Sequence, residues 1–130
     1  MTKEQFRALP YLVQPIDVVQ MGYGPATVDK FVDCGVLNKI KPAGTQFVRF
    51  QKRQLALLLR WAELLEPKLF QEEPPLMRIK SVHLWTGYSM NTLTAIGRAG
   101  GIGIVKPVGM SQVKFLKADV ARLIGFEEYL

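Results

Sequence analysis

Asn91, Thr92, Thr94 and Arg98 lie within eight residues of one another, in a stretch from Met90 to Ala99 that holds no carboxylate. A helix there would turn these four, with Ala95, away from an inner face of Leu93 and Ile96. Asn can bond adenine in bidentate fashion, Arg can do the same with guanine, and Thr can meet a thymine methyl. Sixty-five residues earlier the same positions hold Ala26, Thr27, Asp29, Lys30 and Asp33, whose two carboxylates would meet a phosphate badly. A second set of candidates is cationic. Lys39, Lys41, Arg49, Lys52 and Arg53 in the first half are answered by Lys106, Lys114 and Lys117 in the second. Cations repeated at matched positions suit phosphate contact, and each neutralised phosphate adds to the salt dependence of binding.

Other chemistries find little to work with. A single histidine, His83, and a single cysteine, Cys34, give no metal cluster and no internal disulfide. No second histidine or paired carboxylates form an acid–base system. Gly100-Gly101-Ile102-Gly103 lacks the strand that must precede a nucleotide loop. The chain is therefore expected not to be an enzyme and to hold neither metal nor cofactor. His83 reads as a buried, hydrogen-bonded residue, Cys34 as a small buried one, and Tyr23 and Tyr88 as turn packing. Trp61 and Trp85 read as core or inter-module contacts. The net charge of +6 favours an anionic partner. No apolar run nears the ~20 residues that cross a bilayer, so a cytoplasmic protein is expected, and DNA as the anionic partner would make it nucleoid-associated.

A duplicated scaffold must position these residues. Shifted by 65 residues, Gly22–Leu59 lies on Gly87–Ile124 without a gap, and 12 of the 38 pairs are identical. Gly22-Tyr23, Thr27, Gly35, Lys41-Pro42, Gly44, Val48, Phe50, Lys52, Ala56 and Leu58 all recur. Such periodicity fixes architecture before any local signal. Each copy reads as a short helix, a turn at Gly22 or Gly87, and a second helix opened by Pro25 or capped by Ser89. Gly35 or Gly100 stops that helix. A hairpin about Lys41–Gly44 or Lys106–Gly109 follows, with strands over 37–40 and 47–50, then 102–105 and 113–115. A last helix spans Gln54–Leu65 in the first copy and Asp119–Ile124 in the second. Thr2-Lys3-Glu4-Gln5 resembles a capping box that starts a short helix. The expected division is a first module over 1–65, a linker rich in Pro and Glu over 66–76, and a second module over 77–130. Modules this small bury roughly 60% of their unfolded surface, so the two are expected to lean on each other.

Helix, Gly turn, helix, Gly stop, Lys-Pro-x-Gly hairpin and a basic–aromatic strand end (Arg49-Phe50, Lys114-Phe115) resemble the winged helix-turn-helix of the mercury-resistance-regulator (MerR) superfamily. The likeness is closest to its small excisionase-like members and covers about residues 12–60 and 77–125. Val18, Gly22, Val28 and Phe31 match the general spacing, as do His83, Gly87, Leu93 and Ile96. Val18 and His83 depart from the usual Ala, the family's recognition arginine is replaced by Asp29 and Thr94, and the long dimerising helix is absent. The resemblance implies a mainly α fold with small β wings, two tandem winged modules, and double-stranded DNA as partner. It implies Thr27, Lys30, Asn91, Thr92, Thr94 and Arg98 in the major groove, with the wing cations on the backbone. A transcription regulator or an excisionase-like architectural factor from a phage or mobile element fits, joined by a second copy or by a recombination or transcription protein. The competing reading is an adaptor that recruits a polymerase, terminase or recombinase and touches DNA only incidentally.

Overall fold

A computed structural model describes all 130 residues. Thr2 opens the chain as a full capping box: its hydroxyl accepts from the Gln5 N–H at 3.1 Å, and Gln5 Oε1 accepts from the Thr2 N–H at 2.8 Å. Two orphan donors are thereby satisfied, and helix α1 (Lys3–Ala8) begins. Strand β1 (Leu12–Val13) leads into helices α2 (Pro15–Gln20) and α3 (Pro25–Asp33), each with Pro in its first turn. There the missing N–H costs nothing and φ is preset for the helix. A hairpin of β2 (Lys39–Ile40) and β3 (Arg49–Gln51) runs into helix α4 (Lys52–Leu59), and a 3-10 turn over Ala62–Leu64 closes the first module.

The second module repeats every element. Helix α5 (Pro67–Gln71), β4 (Leu76–Met77), α6 (Ile79–Thr86), α7 (Met90–Ala99), β5 (Ile104–Val105), β6 (Lys114–Leu116), α8 (Lys117–Ile124) and a 3-10 turn over Glu127–Tyr129 follow in order. The fold is mixed α/β, with eight helices and two small three-stranded antiparallel sheets.

The structure differs from the sequence expectations in several places. The hairpin strands are shorter or shifted, at 39–40 and 49–51 and at 104–105 and 114–116, and the last helices start at Lys52 and Lys117 rather than at Gln54 and Asp119. Each hairpin gains a third strand, so β1 pairs β3 with Leu12 opposite Gln51, and β4 pairs β6 with Leu76 opposite Leu116. The stretch 66–76, expected as a linker, holds α5 and the first residue of β4. Pro67 stands in the first turn of α5 and Phe70 is fully buried. The helix expected over Gln54–Leu65 ends at Leu59, because Arg60 takes the left-handed conformation (φ 58°, ψ 39°) and reverses the chain. Gly125 takes the same conformation after α8, with φ 80°. Arg60 adopts it despite a Cβ that costs of order 1 kcal/mol in this region.

Two apolar clusters form. One gathers Phe6, Val13, Val18, Leu37, Phe50, Leu55, Ala56 and Leu64 of the first module. The other joins Tyr11 and Leu12 to Phe70, Met77, Tyr88, Leu93, Ile96, Phe115 and Phe126 of the second. Leu12 and Val13, neighbours in β1, point to opposite faces of the sheet, Val13 into its own module and Leu12 toward the second. Tyr11, just before the strand, joins Leu12 against the second module.

Candidate nucleic-acid interface

Helix α7 carries the strongest candidates, and its ends are well defined. Ser89 Oγ accepts from the Thr92 N–H at 3.1 Å, and Gly100 ends the helix in the left-handed conformation. Leu93, Ile96 and Gly97 are buried on the inner side. Gly97 lets β5 lie close, since a Cβ would come 2.9 Å from Ile104 Cγ2 and force that side chain to shift. Asn91, Thr94 and Arg98 are exposed on the opposite side, one helical turn apart. The Thr94 hydroxyl donates to the Met90 carbonyl at 2.9 Å. Thr92 is half-buried and its hydroxyl accepts from Ser89 Oγ at 2.9 Å, so it serves the helix cap.

One flank of α7 is covered by the first module. A Cβ on Gly44 would lie 2.5 Å from the Ala95 carbonyl oxygen, so the tip of the β2–β3 hairpin rests against the α7 backbone. Thr45, Gln46 and Phe47 line one shallow cleft with Asn91, Thr92 and Ala95. The exposed row of α7 and the first hairpin form a continuous surface. No sequence signal marked Thr45, Gln46 and Phe47, because the contact joins residues almost fifty apart in different modules.

Helix α3 is less suited to an anion. Thr27 and Lys30 are exposed as expected, and Asp29 and Asp33 are exposed on the same helix.

The cations divide sharply. Lys39, Lys41 and Lys106 are exposed, and Lys114 is half-buried. Lys52 and Lys117, expected on phosphates, are 1% and 7% exposed and lie inside the protein. Each sits at the first position of its helix, α4 or α8, and reaches back to the segment leaving α1 or α5. Lys52 Nζ donates to the Arg7 and Leu9 carbonyls at 2.9 Å each. Lys117 Nζ donates to those of Gln71 and Glu73 at 2.8 Å each. The ammonium groups stand 5.4 Å from the Phe6 and Phe70 ring centroids respectively. These lysines satisfy carbonyls left open at a helix C-terminus, where the dipole also favours a cation. Burial holds the Lys52 amine down at about 8, with Glu66 partly opposing the shift and Arg7 adding to it. Identity between the copies does not mark them, since Lys41 and Lys106 also recur and are exposed.

Arg49 is also buried, its guanidinium 4.9 Å from the Tyr88 ring centroid, and burial pulls its pKa down. Arg53 bonds the Gly125 carbonyl and the Glu128 carboxylate across the modules. Both therefore hold the modules together. Lys52, Lys117 and Arg49 supply three of the six excess positive charges, and no acidic residue is buried. Half of the net charge that pointed to an anionic partner is internal.

His83 is half-buried, with Nδ1 2.6 Å from the Tyr88 carbonyl oxygen, which fits the hydrogen-bonded residue expected. Cys34, expected to be buried, is exposed, because the carboxyl end of α3 has no neighbour over it. Trp85 packs on Tyr11 at 5.1 Å across the module boundary, and Trp61 on Phe6 at 5.4 Å within the first module. No group of three or more His, Cys, Asp or Glu side chains gathers at one point. No helix is long and apolar enough to cross a membrane. Comparison with family models, with curated proteins and with solved structures gives no match for this chain.

Proposed function

We propose that the chain binds duplex DNA through two tandem winged helix-turn-helix modules, with α7 entering the major groove and the first hairpin lying along the adjacent backbone. The observation that carries this reading is the exposed row Asn91, Thr94 and Arg98, on a helix without carboxylates and flanked by the hairpin tip that bears Lys41. Asn and Arg there offer bidentate contacts to base edges, and Lys41, Lys39 and Lys106 offer phosphate contacts. The α2–α3 pair contributes less, since Asp29 and Asp33 repel the backbone. A regulator or an architectural recombination factor of the nucleoid follows from such a surface.

Fluorescence anisotropy with a labelled duplex of random sequence, at two salt concentrations, tests it. Binding that weakens steeply with salt is expected, and no binding at low salt would end the proposal. Lys41→Ala and Lys106→Ala should each lower the salt slope by about one, and Arg98→Ala should cost ~1–3 kcal/mol of sequence discrimination.

One observation favours the adaptor reading. Between α2, α3 and β3, an apolar cleft lined by Val19, Val28, Val48 and Phe50 lies open, with Ile16 exposed nearby. An adaptor would capture a polymerase, terminase or recombinase through this cleft and show no salt-dependent binding to the duplex.

A further inference from the structure

The two modules meet through different surfaces. The first offers the outer face of its sheet, and the second receives it on the ends of its helices. The Tyr11 N–H donates to the Trp85 carbonyl at 2.8 Å, and Gln51 Nε2 donates to the Leu123 carbonyl at 2.9 Å. Arg49 lies over Tyr88, and Arg53 pairs with Glu128. A contact between unlike surfaces of like modules is heterologous, and unless its rotation closes a ring it leaves one surface of each kind free at the ends.

Both free surfaces are present. On the second module, Leu76 and Leu116 occupy the sheet positions of Leu12 and Gln51. Leu76 is 38% exposed, and the two leucines border an apolar cleft with Pro75 and Ala118. Lys114 stands where Arg49 does, so a cation is kept. On the first module, Tyr23 and Trp61 stand in the places of Tyr88 and Phe126, and both are half-buried rather than sealed. Arg60 has the backbone conformation of Gly125, and Glu63 takes the place of Glu128; its side chain is 58% exposed and its one partner is the exposed Lys3, at 3.4 Å.

We propose that the chain assembles head to tail with further copies of itself, the sheet face of one second module docking on the helix face of the next first module. Lys114 would lie over Tyr23 of the next copy, and Leu76 and Leu116 would pack toward its Trp61. The joint between chains is looser than the joint within one. Neither hydrogen bond of the internal joint recurs, because Pro75 at the place of Tyr11 has no N–H and Leu116 at the place of Gln51 has no side-chain amide. Ala118 cannot reproduce the Arg53 ion pair, and Val36 stands where Gly101 makes room for the Ala43 carbonyl, so the copies must sit further apart there. The joint is independent of DNA.

Sedimentation velocity of the full chain without nucleic acid, over a wide concentration range, reads the assembly directly. The weight-average mass should climb with concentration beyond that of two chains, toward an open series or a ring of three or more copies. Ala118→Arg restores a cation opposite Glu63 of the next copy and should tighten association severalfold. Adding Glu63→Gln to that variant should remove the gain. Leu76→Glu should leave single chains with an unchanged thermal midpoint, because Leu76 contributes little to its own module. A single-chain mass for both wild type and Ala118→Arg at every concentration would overturn the proposal. So would a gain from Ala118→Arg that survives Glu63→Gln.

Discussion

The two modules share their elements and their order, yet Tyr88, Leu93 and Ile96 are completely buried while Tyr23, Val28 and Phe31 are only half-buried. The residues are alike in kind, so local sequence does not explain the contrast. The second module's helices lie under the sheet and hairpin tip of the first, and the first module's helices lie under nothing. The sheets show the reverse. Leu12 is sealed on the inter-module side, whereas Leu76, at the same strand position, is exposed. Burial in a duplicated protein is set by which face of each copy its neighbour occupies.

Leu12→Ala against Leu76→Ala gives the largest expected contrast. The first should destabilise by ~2–5 kcal/mol through lost transfer energy and a cavity. The second should stay within ~0.5 kcal/mol when urea unfolding is followed at low protein concentration. Equal losses would mean that the modules do not pack as described.

The lysine pair predicts symmetry instead. Lys52→Met and Lys117→Met should each cost ~2–4 kcal/mol, because each removes the two hydrogen bonds from the ammonium to part-buried carbonyls. A near-zero cost in either, by the same unfolding assay, would remove that lysine from the scaffold.

Lys52 also gives a pH dependence. Its folded pKa of about 8 lies below the 10.5 of the free side chain. Between those values the unfolded chain binds more protons than the folded one, so stability rises with pH. The burial penalty is fully present below pH 8 and is relieved as pH approaches 10.5. The rise should reach ~2 kcal/mol between pH 7 and 9.5. The window stops short of Tyr88, whose hydroxyl burial pushes up to about 12 and which would begin to oppose the trend above pH 10. Urea midpoints across this range should climb for wild type and stay flatter for Lys52→Met.

The smallest expected difference lies at the hairpin tips. Gly44 and Gly109 both have positive φ, 101° and 80°, so Ala at either should cost ~1 kcal/mol from backbone strain. Only Gly44 meets a neighbour, the backbone at Ala95. Gly44→Ala should therefore cost more than Gly109→Ala, and equal thermal midpoints would show that the first tip is free of α7.

Much of the framework was legible in the residues. The 65-residue repeat located both helix pairs and both hairpins, since Gly turns, Pro starts and the Ser89 cap are local devices that act through their own backbone. Helix α7 was placed from Met90 to about Ala99 by its Ser89 cap, its Gly stop and the spacing of Leu93 and Ile96. The third strands were not legible, because a two-residue strand has no periodicity and exists only through its partner. The candidate interface was legible in part. Asn91, Thr94 and Arg98 face solvent, as helical spacing required. Lys52, Lys117, Arg49 and Arg53 carry the same charge as Lys41 and Lys106, but composition counts a cation without saying what lies over it.

The repeat, the helix boundaries marked by Pro, Ser and Gly, and the polar face of α7 can all be read from the residues. Short-range sterics and hydrogen bonds suffice for each of these. Only the tertiary structure decided that the modules join by unlike faces, that half of the net charge is internal, and that α7 shares its surface with the first hairpin. Each of those depends on packing between residues far apart in the chain, where apolar burial and the demand to satisfy buried polar groups choose the neighbour.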